Sequence, residues 1–149
     1  MPAAEMTPPD PVRAAFEAAP ASARPGLRTL RALILSVAAE TPGAEPLTET
    51  LRWGQPAYLA PKGTALRLGT HRAASFALFA HCQSRVIPAF RDGPGAGFRL
   101  DGTRAVLFDR VDEIRPGPLS SLIRHALTYR LWPGGAQSRG AIYNAAGRS

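Results

Sequence analysis

Glu49-Thr50-Leu51-Arg52-Trp53-Gly54-Gln55-Pro56-Ala57-Tyr58 is the stretch on which the fold turns. A large aromatic, a glycine, an amide and a proline stand in succession between two apolar runs. Gly54 reaches backbone angles closed to other residues. Pro56 fixes its own φ and biases Gln55 toward an extended conformation. The chain therefore bends here and presents Trp53, Gln55 and Tyr58 from a stiff corner. Around the corner the apolar pattern takes the period of strands. Residues 48–53, 57–60, 63–70 and 74–81 read as short strands separated by Gly, Pro and Lys-Gly turns. The run 75–80, Ser-Phe-Ala-Leu-Phe-Ala, is apolar on both faces, as a central strand covered on both sides would be.

Upstream the period is helical. Asp10-Pro11 is a helix start, with Asp as N-cap and Pro at the first helical position, and predicts a short helix over 11–19. Residues 20–25 break it. Leu27, Leu30, Ile34 and Val37, with Leu33 beside them, predict an amphipathic helix over 25–40, ended by Thr41-Pro42-Gly43. Arg24, Arg28 and Arg31 fall off that apolar face and read as a solvated stripe. Downstream, 83–91 reads as a short helix ended by Asp92-Gly93-Pro94-Gly95. Strands over 97–100 and 103–108 flank Asp101-Gly102, a two-residue hairpin signal. Pro116-Gly117-Pro118 opens a last helix with the stripe Leu119, Leu122, Ile123, Ala126, Leu127, stopped by Trp132-Pro133-Gly134-Gly135. Elements segregated in this way belong to the α+β class: an antiparallel sheet of about five to six strands, with N-terminal helices, one inserted short helix and a C-terminal helix packed on it. The domain spans 10–131. Residues 1–9 are expected to be a disordered N-terminus and 132–149 a flexible tail.

A chain of 149 residues, 45% hydrophobic and 19% charged, fits one domain with a core. It lacks the run of roughly 20 apolar residues that a membrane span needs, and its first residues lack a signal peptide's basic and apolar regions. A single cysteine, Cys82, excludes an internal disulfide, and a reducing, cytoplasmic setting is the expectation. The net charge of +7 comes from 17 Arg and one Lys, scattered along the chain. Without a dense basic patch interleaved with aromatics, no specific nucleic-acid partner is expected.

Several pieces of the sequence resemble one family. Trp-Gly-Gln-Pro-Ala-Tyr-Leu (53–59) is followed by Lys-Gly-Thr-Ala-Leu-Arg-Leu-Gly (62–69), then Ala-Leu-Phe-Ala-His-Cys-Gln (77–83), Phe-Arg (90–91), Asp-Gly-Thr-Arg-Ala-Val-Leu-Phe (101–108) and Ala-Leu-Thr-Tyr (126–129). Their order and spacing resemble the YdhG-like family, a bacterial domain of unknown function, over about 45–131. The resemblance implies an antiparallel sheet with helices packed on it and leaves activity unassigned. One bacillary member has been proposed as a frataxin-like iron chaperone. Iron would want several clustered oxygen ligands. This chain has 11 acidic residues, with Asp109, Asp112 and Glu113 as the one local group, so no tight iron site and no cofactor are expected.

His81-Cys82-Gln83 is the candidate for chemistry. Cys82 stands where a strand hands over to a predicted helix, whose dipole favours a thiolate, and His81 is a candidate base. Strand neighbours point to opposite faces, and the apolar run before Cys82 argues for a buried structural thiol. The spacings of His71, His81, His125 and Cys82 match no zinc pattern. Gly93-Pro94-Gly95-Ala96-Gly97 lacks the Gly-Lys-Ser/Thr of a phosphate loop. Arg104, on a predicted strand, reads as edge-exposed. Trp53 is expected to be buried and to matter for stability. Together Trp53, Gln55, Tyr58, His81 and Arg104 form a mixed pocket if the fold brings them together. The expected function is a small binding or adaptor domain without catalysis, for an unidentified small molecule or protein. The alternatives are a Cys82-dependent enzyme or redox protein, and iron handling.

Overall fold

The computed structural model describes residues 6–131. In it the stretch 48–81 supplies four strands of a six-stranded antiparallel sheet, residues 99–108 supply the other two, and the fold is α+β. The strands are β1 (Thr48–Arg52), β2 (Gln55–Leu59), β3 (Leu66–His71), β4 (Ala74–Ala80), β5 (Arg99–Asp101) and β6 (Ala105–Phe108). Their order is β1-β2-β3-β4-β6-β5. The helices are α1 (Asp10–Ala18), α2 (Arg24–Glu40), α3 (Val86–Asp92) and α4 (Pro116–Leu127). Single 3₁₀ turns lie before and after α4, at Val111–Glu113 and Tyr129–Leu131. The terminal residues 1–5 and 132–149, expected to be mobile, lie outside the described residues, and residues 6–9 carry no regular element.

Alternation sorts the strands onto two faces. Tyr58, Leu66, Leu68, Phe76, Leu78, Val106 and Phe108 point inward and are buried. They join Phe16 of α1, Leu27, Leu30 and Ile34 of α2, Ile87 and Phe90 of α3 and the whole predicted stripe of α4 in one cluster. Each large apolar side chain so buried contributes about 1.5–3 kcal/mol. Gly26 lets α2 lie flush on β4, because a Cβ there would run into the Phe76 ring. The β2–β3 loop docks on the end of α4. Thr64 N donates to Ala126 O at 2.8 Å, and Arg130 N to Lys62 O at 2.7 Å, so a carbonyl that the helix end leaves open finds a partner.

Four local expectations change. Asp10 is the first helical residue rather than the N-cap, which is Pro9. Arg31 is not in a solvated stripe. It is 8% exposed and grips Glu49 of β1, Nε to Oε2 at 2.6 Å and Nη2 to Oε1 at 3.0 Å, while the Tyr58 hydroxyl donates to the same Oε2 at 2.7 Å. The β5–β6 connection is three residues long, because Asp101 pairs with Ala105. Finally, among the described residues no second layer accounts for the apolar outer side of β4. Ala77 is buried there, and Phe79 is covered by the sheet's own Arg67 and by the stacked ring of His71.

Candidate functional site

The outer face of the sheet carries the site, and its first wall is the tip of the β1–β2 hairpin. Arg52 pairs with Gln55, so the turn is Trp53-Gly54. Both residues have positive φ, 56° and 73°, the left-handed pair that a two-residue hairpin requires. Asn, Asp or Gly take the first of these positions easily, whereas Trp does so under strain. Trp53 is 88% exposed. The expected buried, stabilising tryptophan is thus an exposed one, because the tight turn throws its side chain clear of the sheet. Pro56 sits inside β2, opposite Leu51, and the ladder to β3 begins only at Ala57. Its missing N–H therefore leaves no rung unmade.

The floor is a row of registered residues, Ala57, Arg67, Phe79 and Ala105, on β2, β3, β4 and β6. Small alanines on either side leave Arg67 and Phe79 standing proud. The Arg67 guanidinium lies 5.2 Å over the Phe79 ring centroid, a cation–π distance. Its Nη1 donates to Gln55 Oε1. Gln55 can lie there because residue 69 is glycine, and a Cβ at that position would run into its amide. Burial pulls the Arg67 pKa below its ordinary value, and the nearby Cys82 sulfur offsets this in part. An arginine stays charged through such a shift.

The second wall is where β4 ends. His81 Nδ1 accepts from Gln83 N at 3.1 Å, and Ser84 N and Oγ both donate to His81 O, at 3.0 and 2.8 Å. With Nδ1 an acceptor, the neutral ring carries its proton on Nε2. Cys82 is exposed, not buried as expected, because α3 starts only at Val86 and the intervening turn lifts the thiol away from the core. The helix-dipole argument for Cys82 goes with it. Thr103 Oγ1 fastens this turn to the β5–β6 loop through Cys82 O at 2.8 Å. Arg104, in that loop, is exposed, and its carbonyl accepts from Ala80 N at 2.9 Å.

Between the walls is a cavity of about 400 Å³ lined by Arg52, Trp53, Ala65, Arg67, Phe79, Ala80, His81, Cys82 and Arg104. No lining residue is acidic. Among the described residues, none of the three guanidiniums has a carboxylate within ion-pair distance; the ion pairs belong to Arg13, Arg31, His71, Arg91, Arg99 and Arg110. Asp101, the carboxylate nearest Arg104 in sequence, bonds His71 Nε2 at 2.9 Å, and that bond is the main cause of its lowered pKa, with smaller contributions from the nearby charges of Arg104 and Arg72.

Of the five residues expected to form a pocket, Trp53, His81 and Arg104 line this cavity and Gln55 supports it through Arg67. Tyr58 does not belong. It faces the core, bonded to Glu49, on the opposite side of the sheet. Burial and the Glu49 charge raise its pKa, so the phenol is a fixed proton donor. Sequence reading missed Arg52, Arg67 and Phe79. It is the cross-strand register, Arg67 opposite Phe79, that puts the last two on one face.

The histidines do not gather. His71 is held by Asp101, His81 lines the cleft, and His125 is buried in α4 with its ring 5.3 Å from that of Tyr129. Burial, helped by Arg85, holds the His125 pKa down at about 4. Each member of the acidic group is engaged. Asp109 pairs with Arg99 and accepts from Ser75 N, Asp112 pairs with Arg110, and Glu113 accepts from the amides of Asp109 and Arg110. Among the described residues no cluster of His, Cys, Asp or Glu is set to hold a metal, and no helix is long and apolar enough to cross a membrane. Comparison of the chain with models of known families, with curated proteins and with solved structures finds no match.

Proposed function

We propose that the protein is a small, non-catalytic binding domain that holds an anionic molecule on the outer face of its sheet. One observation carries this reading: three guanidiniums and an imidazole line a cavity without a single carboxylate. Arg67, the half-buried one of the three, has no carboxylate partner among the described residues, which is costly, and an arginine cannot shed its proton to relieve that cost; Arg52 and Arg104 are exposed and add charge at the rim. An anionic ligand supplies the missing partner, and guanidinium forks suit carboxylate and phosphate oxygens. The YdhG-like resemblance over 45–131 and a reducing, cytoplasmic setting are part of the same proposal.

The test is calorimetric titration with phosphate, sulfate and citrate at low salt. Saturable binding is expected, weakened by added chloride and lost in Arg67→Ala and Arg104→Ala. Binding that both variants retain, or none by any of the three anions, would overturn the reading.

The exposure of Cys82 on the cavity wall favours a second reading, thiol chemistry on a bound anion. This reading requires turnover or adduct formation abolished by Cys82→Ser. Iron handling gains nothing from Asp109, Asp112 and Glu113, whose oxygens are already engaged by arginines and amides.

A further inference from the structure

We infer that the anion this cleft takes is an aromatic ring carrying a phosphate, the chemistry of a nucleoside monophosphate. The inference rests on the anion-binding reading and adds to it the identity of the ligand's other half. Trp53 is the first reason. A two-residue turn with φ of 56° at its first position is satisfied without strain by Asn or Gly. Here the position holds the largest side chain, 88% exposed, on the rim of a cavity lined by cations. A strained backbone supporting an exposed aromatic beside a cation cluster points to a stacking surface.

The second reason is the distribution of charge. Arg52 adjoins Trp53 on one wall, Arg67 lies on the floor and Arg104 stands on the other wall. One carboxylate cannot meet all three, whereas a phosphate dianion offers three acceptor oxygens. His81, with its Nε2 proton, adds a neutral donor. The third reason is size. A cavity of about 400 Å³ falls at the small-ligand end of binding sites, which a mononucleotide suits.

The wall also limits what can be read. It offers no carboxylate, and the Gln55 oxygen is already taken by Arg67. Few acceptors remain for the edge of a base, so recognition is through the ring's face and is indifferent to base identity, as in stacking on aromatic platforms. The same chemistry comes from a free nucleotide or from a single strand lying across the sheet.

The experiment uses the full chain with Trp132→Phe, which leaves Trp53 as the fluorescent reporter. The titrants are AMP, UMP, adenosine, inorganic phosphate and an oligoadenylate of about ten nucleotides, a length within single-strand site sizes. AMP and UMP are expected to quench saturably with similar affinity. Adenosine and phosphate should each bind at least about tenfold more weakly, in line with stacking energies per base. By calorimetry, Trp53→Ala should lose about tenfold for AMP and nothing for phosphate, while Trp53→Phe restores most of the AMP affinity. Oligoadenylate binding no tighter than AMP supports a free nucleotide as ligand, and affinity rising with length supports a strand. Phosphate binding as tightly as AMP, or AMP affinity unchanged in Trp53→Ala, would overturn the inference and leave the anion site standing. Loss of both requires that no anion binds at all, or that Arg67→Ala changes nothing.

Discussion

Replacing Trp53 by asparagine should make the fold more stable while removing the stacking surface from the cleft. The left-handed backbone at this position costs an ordinary L-residue roughly 1–2 kcal/mol, and Asn tolerates it far better. Opposing that relief is the small apolar area that the indole covers. Trp53 is 88% exposed, so about an eighth of a side chain of roughly 250 Å² is covered, near 30 Å². At about 25 cal/mol per Å² this is worth about 0.7 kcal/mol. The net is a stabilisation of roughly half to one kcal/mol, or a thermal midpoint higher by about 1–4 °C for a chain of this size. Urea unfolding followed by circular dichroism measures it without relying on the missing fluorophore. A Trp53→Asn protein less stable than the parent by about 1 kcal/mol or more would mean that the ring packs on the sheet. The strain argument and the platform would then both fail.

Glu49→Ala strands Arg31, whose side chain is only 9% exposed, and should cost about 3 kcal/mol, the low end for a broken buried pair. The double variant Arg31→Met/Glu49→Leu should cost far less than the two single changes combined, and additive losses in a double-mutant cycle would refute the pairing. His125 titrates near 6.5 when unfolded but about 4 when folded. The unfolded state therefore binds more protons between those values, and stability falls by up to about 3 kcal/mol as the pH drops through that window. His125→Phe should flatten this slope relative to the parent, and an unchanged slope would sink the assignment. Gly26→Ala, though favourable for a helix, drives a methyl into the Phe76 ring and should cost about 1–3 kcal/mol; a raised urea midpoint would contradict it. Cys82 is exposed, so iodoacetamide should label the native thiol readily, and protection lifted only by denaturant would contradict that placement.

The sheet was legible because its code is local. Residues 48–81 alternate, Gly and Pro mark the turns, and the helical stripes of α2 and α4 follow a period that a solvated helix has no reason to keep. What failed were features that depend on where the chain goes next. Cys82 read as buried because its apolar approach suggested so, yet a turn at His81–Ser84 carries it outward. Trp53 read as core because tryptophan usually is, yet two successive left-handed residues eject it. Tyr58 read as a pocket residue because it follows Trp53 closely, while alternation places it on the reverse side. Arg67 and Phe79 were missed for the opposite reason. Their partnership runs across strands, and no spacing in the sequence announces that they are neighbours.

The ion pair behind the sheet has a bearing on the cleft in front of it. β1 is an edge strand whose only strand partner is β2, and an edge hairpin that slips by one residue turns over every side chain it carries. In a slipped hairpin Glu49 would swing outward, and Arg31 would be left buried without its counter-charge, a loss of several kcal/mol. Glu49 therefore acts as a proofreader of alignment. By admitting one register it fixes which way the next turn of chain points, and so delivers Arg52 and Trp53 to the same wall each time the protein folds. The carboxylate hidden on one side of the sheet thereby sets the geometry of the other.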